Sequence, residues 1–572
     1  MNDATSSQQI SAEAYLGRLA DRGIEFVFAN AGTDFAPIIE AMTRNTGTQR
    51  KFPRVVTVPH ENVAMAMAHG YYRISGKPAA VMVHVTVGTG NCINGLMNAT
   101  RDNIPLLLAA GRTPLTETGN IASRNRSIHW GQEAFDQGGM VREFVKWDYE
   151  LRAGQPVGSV VDRALDIAMS EPRGPVYLTL PREVLAGPVV AARRDNVRPL
   201  GSSAPAPSRR AIEEAASILA KAEFPLIVTS SAGRTREGFD ELSALAEEFA
   251  FPVVQNEARD INLPTTHPMH LGFASAPFLP KADVVLVVDS IVPWIPRAVT
   301  PKRDAKIIHI STDPLAQRYP FRAYEADLLI TGEAGAALAL LREALRDAMK
   351  GKANGIDSRR KIAAAAREDL EDKRRKTIDT VRTAVPIHSA WLGACVNEIK
   401  TEDTIVVSEL GVPIGHLTLT KQGTFMGNML SGGLGMGLGA ALGAKLAAPE
   451  RDVIVAVGDG SYMFGNPLPY HYVGRAESLP TLTIIANNHS WHAVRQATLD
   501  VYPDGTAAKA NVMPLTELKP APDYEKVIET CGGYGVKVEQ PGELLSALKR
   551  GLDAVRSGTP ALINVSTQGR HA

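Results

Sequence analysis

The sequence predicts an α/β chain made of three consecutive doubly wound parallel-sheet domains. Three observations lead there. On a prior of roughly 150 residues per domain, a chain of 572 residues is too long for one hydrophobic core. Short apolar strands alternate with helix-length segments, the rhythm of parallel sheets covered on both faces. Two stretches interrupt that rhythm. Residues 189–208 are rich in Pro, Ala and Arg and read as a linker, and the highly charged residues 350–380 read as a helical connector. The expected domains are therefore 1–188, 209–348 and 386–572.

Residues 12–22 read as a helix, and 25–29 as a strand running into Asn30-Ala31-Gly32-Thr33-Asp34. Residues 54–59 read as a strand, 61–75 as a helix and 79–87 as a strand. Gly88-Thr89-Gly90-Asn91 opens another helix, 105–110 is again a strand, and 174–181 is the last strand of the first domain. The second domain has strands at 225–229, 252–255, 283–288 and 306–310. The third has strands at 404–408, 452–457, 481–486 and 561–565.

Composition excludes several classes. Lys+Arg and Asp+Glu both number 61, and the basic clusters around Arg359 and Lys373 lie among acidic residues. Charge therefore favours neither nucleic acid nor an anionic membrane. The three cysteines, Cys92, Cys395 and Cys531, form no CxxC, which argues against zinc or a disulfide framework. The polar residues 1–9 lack a basic region followed by an apolar run, so a cytoplasmic enzyme without a signal peptide is expected.

The most informative feature is a strand ending in Gly458-Asp459-Gly460-Ser461, then a helix-length segment and a strand ending in Asn487-Asn488. Ligands in open α/β sheets collect at the carboxyl ends of strands. A carboxylate and a carboxamide there suit a hard cation such as Mg²⁺. The small residues let a diphosphate approach backbone N–H groups at a helix start. Elsewhere, Pro59-His60-Glu61-Asn62 places a glutamate in a first helical turn, where the helix dipole alone is a sufficient explanation. Gly432-Gly433-Leu434-Gly435-Met436-Gly437-Leu438-Gly439 opens a helix rich in Ala and Gly. Charges and prolines that follow closely make a transmembrane or dimer-packing helix a poor explanation for that run.

The Gly-Asp-Gly-Ser and Asn-Asn pair resembles the signature of thiamine-diphosphate enzymes, and the resemblance covers the chain as pyrimidine-binding, central and diphosphate-binding domains. It implies that Asp459, Asn488 and the carbonyl of Ser490 bind Mg²⁺, and that Gly458, Gly460 and Ser461 meet the diphosphate. It implies that Glu61 contacts a ring nitrogen of the cofactor's aminopyrimidine and promotes the imino tautomer that activates the thiazolium carbon. Leu434 would hold the cofactor bent, and Ser408, Glu409 and Gly411 would face it. The Asp–Asn interval is slightly longer than is usual in the family.

Within that family the chain is most similar to benzoylformate decarboxylases. His84 followed by Gly88-Thr89-Gly90-Asn91 matches, as does Asn30-Ala31-Gly32-Thr33-Asp34, with Thr33 in place of an active-site serine. The resemblance implies proton transfer by His84 and a hydrogen bond from Thr33 to a substrate carboxylate. Two departures make benzoylformate itself a poor substrate expectation. Asp289–Arg297 offers no match for the second active-site histidine, and Asn488 is followed by His489-Ser490-Trp491-His492 in place of the usual glycine. His492 either restores a proton-transfer group or shapes the pocket. The region 124–137, with His129, Gln132 and Glu133, resembles acetolactate synthases, so carboligation stays open.

The expected activity is non-oxidative decarboxylation of a 2-oxo acid, with carboligation to a 2-hydroxy ketone as an accompanying outcome. Alternatives are an acetolactate synthase-like or 2-hydroxyacyl-CoA lyase-like enzyme. A nicotinamide-dependent oxidoreductase explains neither Glu61 nor Asn487-Asn488, and a non-catalytic homologue does not explain why Glu61, Asp459 and Asn488 are all present. Ser230-Ser231-Ala232-Gly233-Arg234 gives only weak support for FAD, which is not expected. The partners expected are a 2-oxo acid and an acceptor carbonyl compound. Because the family assembles its site across a subunit boundary, a homodimer or homotetramer is expected.

Overall fold

The computed structural model describes residues 9–46, 51–191, 198–350, 355–510 and 512–569. Most of the polar segment 1–9, the middle of the 189–208 linker and the start of the 350–380 connector lie outside the described residues. Three parallel sheets are present. The first contains β1 (Phe26–Asn30), β2 (Arg54–Thr57), β3 (Ala79–Val83), β4 (Leu106–Arg112), β5 (Asp148–Glu150) and β6 (Val176–Pro181), in the order β2-β1-β3-β4-β6-β5. The second contains β7 (Pro225–Thr229), β8 (Val253–Val254), β9 (Val284–Val288), β10 (Lys306–Ser311) and β11 (Leu328–Thr331), in the order β11-β10-β9-β7-β8. The third contains β12 (Ile405–Glu409), β13 (Phe425–Met426), β14 (Val453–Gly458), β15 (Leu482–Asn487), β16 (Tyr534–Val538) and β17 (Ala561–Ser566), in the order β13-β12-β14-β15-β17-β16.

Central strands such as β3, β9 and β15 are buried along their whole length, as parallel strands covered on both faces must be. Each sheet has a switch point where successive strands depart to opposite sides: β1/β3, β7/β9 and β12/β14. Crevices form at the carboxyl ends of such strand pairs.

Two of the expected elements need correction. The strand read over 79–87 ends at Val83, and a helix begins at Val85. Val85 takes φ 33°, which breaks the extended run, and Gly88 N–H closes the first helical turn on the His84 carbonyl. Strands β5, β11, β13 and β16 are additional, and each lies at a sheet edge.

The chain forms two compact units. The first comprises Met1–Ser203, Met429–Glu450 and Tyr462–Pro480, and the second Ala204–Asn428, Arg451–Ser461 and Thr481–Ala572. In the first unit the glycine-rich run finds an explanation that the sequence reading lacked. The helix Met436–Ala447 packs closely against the helix Glu61–Ser75 of the same chain. A Cβ on Gly443 would lie 2.0 Å from the Met67 carbonyl oxygen, and one on Gly70 2.0 Å from that of Ala440. Gly443→Ala in an exposed helix would stabilise by ~1 kcal/mol. Here backbone has to shift, and we expect a loss of about 1–3 kcal/mol. A lower unfolding midpoint in calorimetry is the expected readout, and a rise would contradict the packing. Among the described residues, no helix is long and apolar enough to cross a membrane.

Candidate active site

In the first unit, the switch point of the first sheet brings together residues from four segments. Glu61 is the first residue of its helix and is buried. Asn30, at the end of β1, donates its Nδ2 to Glu61 Oε1 at 2.9 Å, and Asn91 donates its Nδ2 to Oε2 at 3.0 Å. Gly88 leaves room for the carboxylate, since a Cβ there would lie 3.2 Å from Oε1. Glu61 stands in the first turn of its helix, where the helix dipole favours a negative side chain.

His84 follows the last residue of β3, and its Nδ1 lies 2.5 Å from Asp34 Oδ1. Asp34 is buried, and its hydrogen bond raises the His84 pKa above its ordinary value, with Glu61 adding a smaller pull. Thr33 Oγ1 lies 3.3 Å from His129 Nε2. Asn125 N–H donates to His129 Nδ1 at 3.2 Å, so the ring proton sits on Nε2 and points at Thr33. Burial first, then Arg182, Arg126 and Arg124, lowers the His129 pKa and keeps that ring neutral. Arg182 donates to the carbonyls of Ala122, Ser123 and Thr33 and so ties the His129 loop to Thr33. Leu434 is half-buried in the same unit, its carbonyl accepting from Asn94 Nδ2 at 3.0 Å.

In the second unit, β14 pairs with β15 in parallel, with Gly458 opposite Ala486. The two motif ends are therefore neighbours. Asp459 starts a helix, and its Oδ1 accepts from Gly460 N–H at 3.0 Å. Its Oδ2 and the Ser461 Oγ are buried without a hydrogen-bond partner. Burial pushes the Asp459 carboxyl up to about 6, while backbone N–H groups, that of Gly460 first and then that of Ser490, partly oppose this. An orphaned carboxylate oxygen facing such a loop fits a cation, which would relieve the cost of burying its charge. Among the described residues, no cluster of three His, Cys, Asp or Glu could hold a metal. The set here is different: one carboxylate, one carboxamide and one main-chain carbonyl.

The two asparagines divide their work. Asn487 is buried, donates to Asn564 Oδ1 on β17 and accepts from His489 N–H, so it braces the turn. Asn488 is partly exposed, and its Oδ1 accepts from Ser490 N–H and Oγ at 3.0 and 2.8 Å. His489 takes φ 54°, a left-handed conformation that explains why glycine is usual near this turn. Trp491 packs against Gly460, where a Cβ would lie 2.2 Å from the ring, so only glycine fits beside it.

Ser408 ends up with its hydroxyl closing a turn through the Val412 carbonyl and N–H. Glu409 is buried at the end of β12, and Gly411 lies against the β14 backbone, where a Cβ would clash at 2.1 Å. A cavity of about 270 Å³ opens at this strand end, between Ser408, Val412 and Asn428 on one side and Glu257 and Phe273 on the other. His492 places its ring over Gly569, where a Cβ would lie 2.6 Å from Nδ1. Glu61, His84, Thr33 and Leu434 thus belong to one unit. Ser408, Glu409, Gly411, Gly458, Asp459, Gly460, Ser461, Asn488, Ser490 and His492 belong to the other. Sequence reasoning assigned no role to Asp34, Asn30, Asn91 or Trp491. The only hint for Asp34 was a carboxylate placed next to Thr33 in a small-residue turn.

Three family models match the chain: the thiamine pyrophosphate enzyme N-terminal TPP binding domain over residues 11–140, the central domain over 212–341 and the C-terminal TPP binding domain over 413–565. A probable acetolactate synthase of Mycobacterium bovis is 25% identical over 581 residues, covering 99% of this chain and 97% of that protein. Benzoylformate decarboxylase of Pseudomonas aeruginosa is 27% identical over 571 residues, covering 96% and 97%. The structure of the thiamine diphosphate-dependent 4-hydroxybenzoylformate decarboxylase of Rhodococcus jostii superposes with a TM-score of 0.77 at 22% identity, covering 99% of this chain and all of that one.

Proposed function

The chain belongs to the thiamine diphosphate enzyme family and uses that cofactor with Mg²⁺ to break or form carbon–carbon bonds next to a carbonyl; from this premise we propose that it decarboxylates a 2-oxo acid without net oxidation. The product is an aldehyde, or a 2-hydroxy ketone when a second carbonyl compound is ligated. The observation that carries this reading is the buried Glu61 carboxylate, gripped by Asn30 and Asn91 at a sheet switch point with His84 nearby.

When bound, the cofactor supplies the electron sink. Asp459, Asn488 and the Ser490 carbonyl would hold the metal, and Gly458, Gly460 and Ser461 the diphosphate. Leu434 would support the ring system, with Ser408, Glu409 and Gly411 lining its approach. Glu61 would face the aminopyrimidine of the bound cofactor and hold a proton at its carboxylate. Thr33, its hydroxyl oxygen already accepting from His129, is left to donate its own proton to a substrate carboxylate. His84 moves a proton at the reacting carbon, and His492 serves either as a further proton-transfer group or as a pocket-shaping residue. Active sites at the interfaces of a homodimer or homotetramer belong to the same reading. A cytoplasmic setting is consistent with three unpaired cysteines.

A panel of 2-oxo acids, with and without acceptor aldehydes, tests the proposal. We expect carbon dioxide release that requires both thiamine diphosphate and Mg²⁺. No release from any member, together with calorimetric binding of NAD, would overturn it. A second reading, carboligation of the acetolactate synthase type, is favoured by the M. bovis relative, whose match spans 99% of this chain. Formation of acetolactate from pyruvate alone would select it.

A further inference from the structure

The Asp34–His84 pair is built into the backbone on both sides. A Cβ on Gly32 would lie 2.1 Å from His84 Nδ1, and a Cβ on Gly111 would lie 1.8 Å from Asp34 Oδ2. Two bare Cα positions therefore form the slot that holds the imidazole and the carboxylate against each other. Asp34 is nearly sealed, with 2% of its side chain exposed against 16% for His84. Its second oxygen receives the Val85 N–H at 3.4 Å. The other ring nitrogen, Nε2, lies 3.2 Å from the Gln132 carboxamide. Gln132 Oε1 is buried without a partner, so turning that carboxamide over lets it accept the Nε2 proton.

The titratable groups facing His84 are Asp34 from the β1 turn, Glu61 from its helix and His129 from the loop. A buried ion pair on its own is weak evidence for stability. A carboxylate on Nδ1 does something specific, however: it fixes which nitrogen carries the proton and how the ring is turned. The contrast with His129 is direct, because there a backbone N–H occupies Nδ1 and imposes the opposite neutral tautomer.

We propose that Asp34 is a positioning residue, accepting a hydrogen bond from the Nδ1–H of His84 so that Nε2 is the nitrogen that exchanges a proton with the substrate. This rests on His84 acting as a proton-transfer group, and the test below reads the resting protein, so the two ideas fail separately. Long-range nitrogen–proton NMR on histidine-labelled protein, with His84→Asn for assignment, should show the neutral His84 ring protonated at Nδ1. In Asp34→Asn the His84 titration midpoint should move down, and the limb of the kcat–pH profile that follows it should move the same way. The drop in kcat near neutrality should be about tenfold or more, with KM less affected. Asp34→Glu should recover part of both effects.

The sign of the stability effect follows from the raised pKa. The pair's contribution is complete below the range of an unfolded histidine and is lost as pH rises through the raised value. Asp34→Asn should remove that pH-dependent part. An unchanged His84 midpoint in Asp34→Asn, or an Nε2-protonated neutral ring in the wild type, would overturn the proposal. The wild-type spectrum and Asp34→Glu decide the matter even where Asp34→Asn does not fold.

Discussion

Glu61→Gln is expected to lower kcat by about 10²–10⁴-fold while the cofactor remains bound. The substitution keeps the shape of the side chain and removes its capacity to exchange a proton. Both carboxylate oxygens now accept from carboxamides, Asn30 on one and Asn91 on the other. Glutamine retains one acceptor and presents one donor. Rotating a single asparagine carboxamide by half a turn restores both hydrogen bonds, so local structure is preserved. The diphosphate anchor lies in a different unit of the chain and is untouched by the change. Calorimetry with thiamine diphosphate and Mg²⁺ should give near wild-type affinity, while single-turnover rates collapse. Near-normal turnover with cofactor bound would remove Glu61 from the chemistry.

Asp459→Asn should show the opposite pattern. Affinity for thiamine diphosphate in the presence of Mg²⁺ is expected to fall about 100-fold or more, since even supporting residues around a metal site are worth 10–100-fold. Turnover should return substantially at saturating cofactor. A second consequence separates this site from a structural aspartate. In protein without cofactor, Asp459 Oδ2 is buried and unpartnered, and its carboxyl is pushed up to about 6 by that burial. Leaving a buried polar atom unsatisfied costs about 1–3 kcal/mol. Removing the charge should therefore leave the apo protein as stable as wild type or more stable, and should abolish the stabilisation that Mg²⁺ with thiamine diphosphate confers on it. Destabilised apo protein with an intact response to metal would show that Asp459 serves the fold alone. A trade of stability for a binding group is common at functional sites.

The central strands were legible because parallel strands covered on both faces are continuous apolar runs, as in β3, β9 and β15. The four strands that escaped, β5, β11, β13 and β16, are edges paired on one side only. β5 is half-buried throughout and β11 alternates irregularly, so neither carries a readable pattern. At the site, Gly458-Asp459-Gly460 and Asn487-Asn488 could be read because short-range spacing and strand ends determine where their groups emerge. Which asparagine braces the turn and which remains partly exposed could not be, because Asn487 is committed by Asn564, 77 positions away. His84 looked like part of a strand because the positive φ that ends it falls on Val85, a β-branched residue that locally favours extended backbone.

The family, the three-sheet architecture and the placement of Glu61, Thr33, Asp459 and Asn488 beside strand ends were legible in the chain alone, since periodicity and turn chemistry are local properties. Only the tertiary structure decided the partners of those residues. Asp34 against His84, His129 against Thr33, Trp491 over Gly460 and the glycine-cleared contact of two helices all join segments remote in the chain or displaced across a turn. Such pairings depend on which strands become neighbours and on how closely backbone can approach backbone, and no residue pattern of short range encodes either.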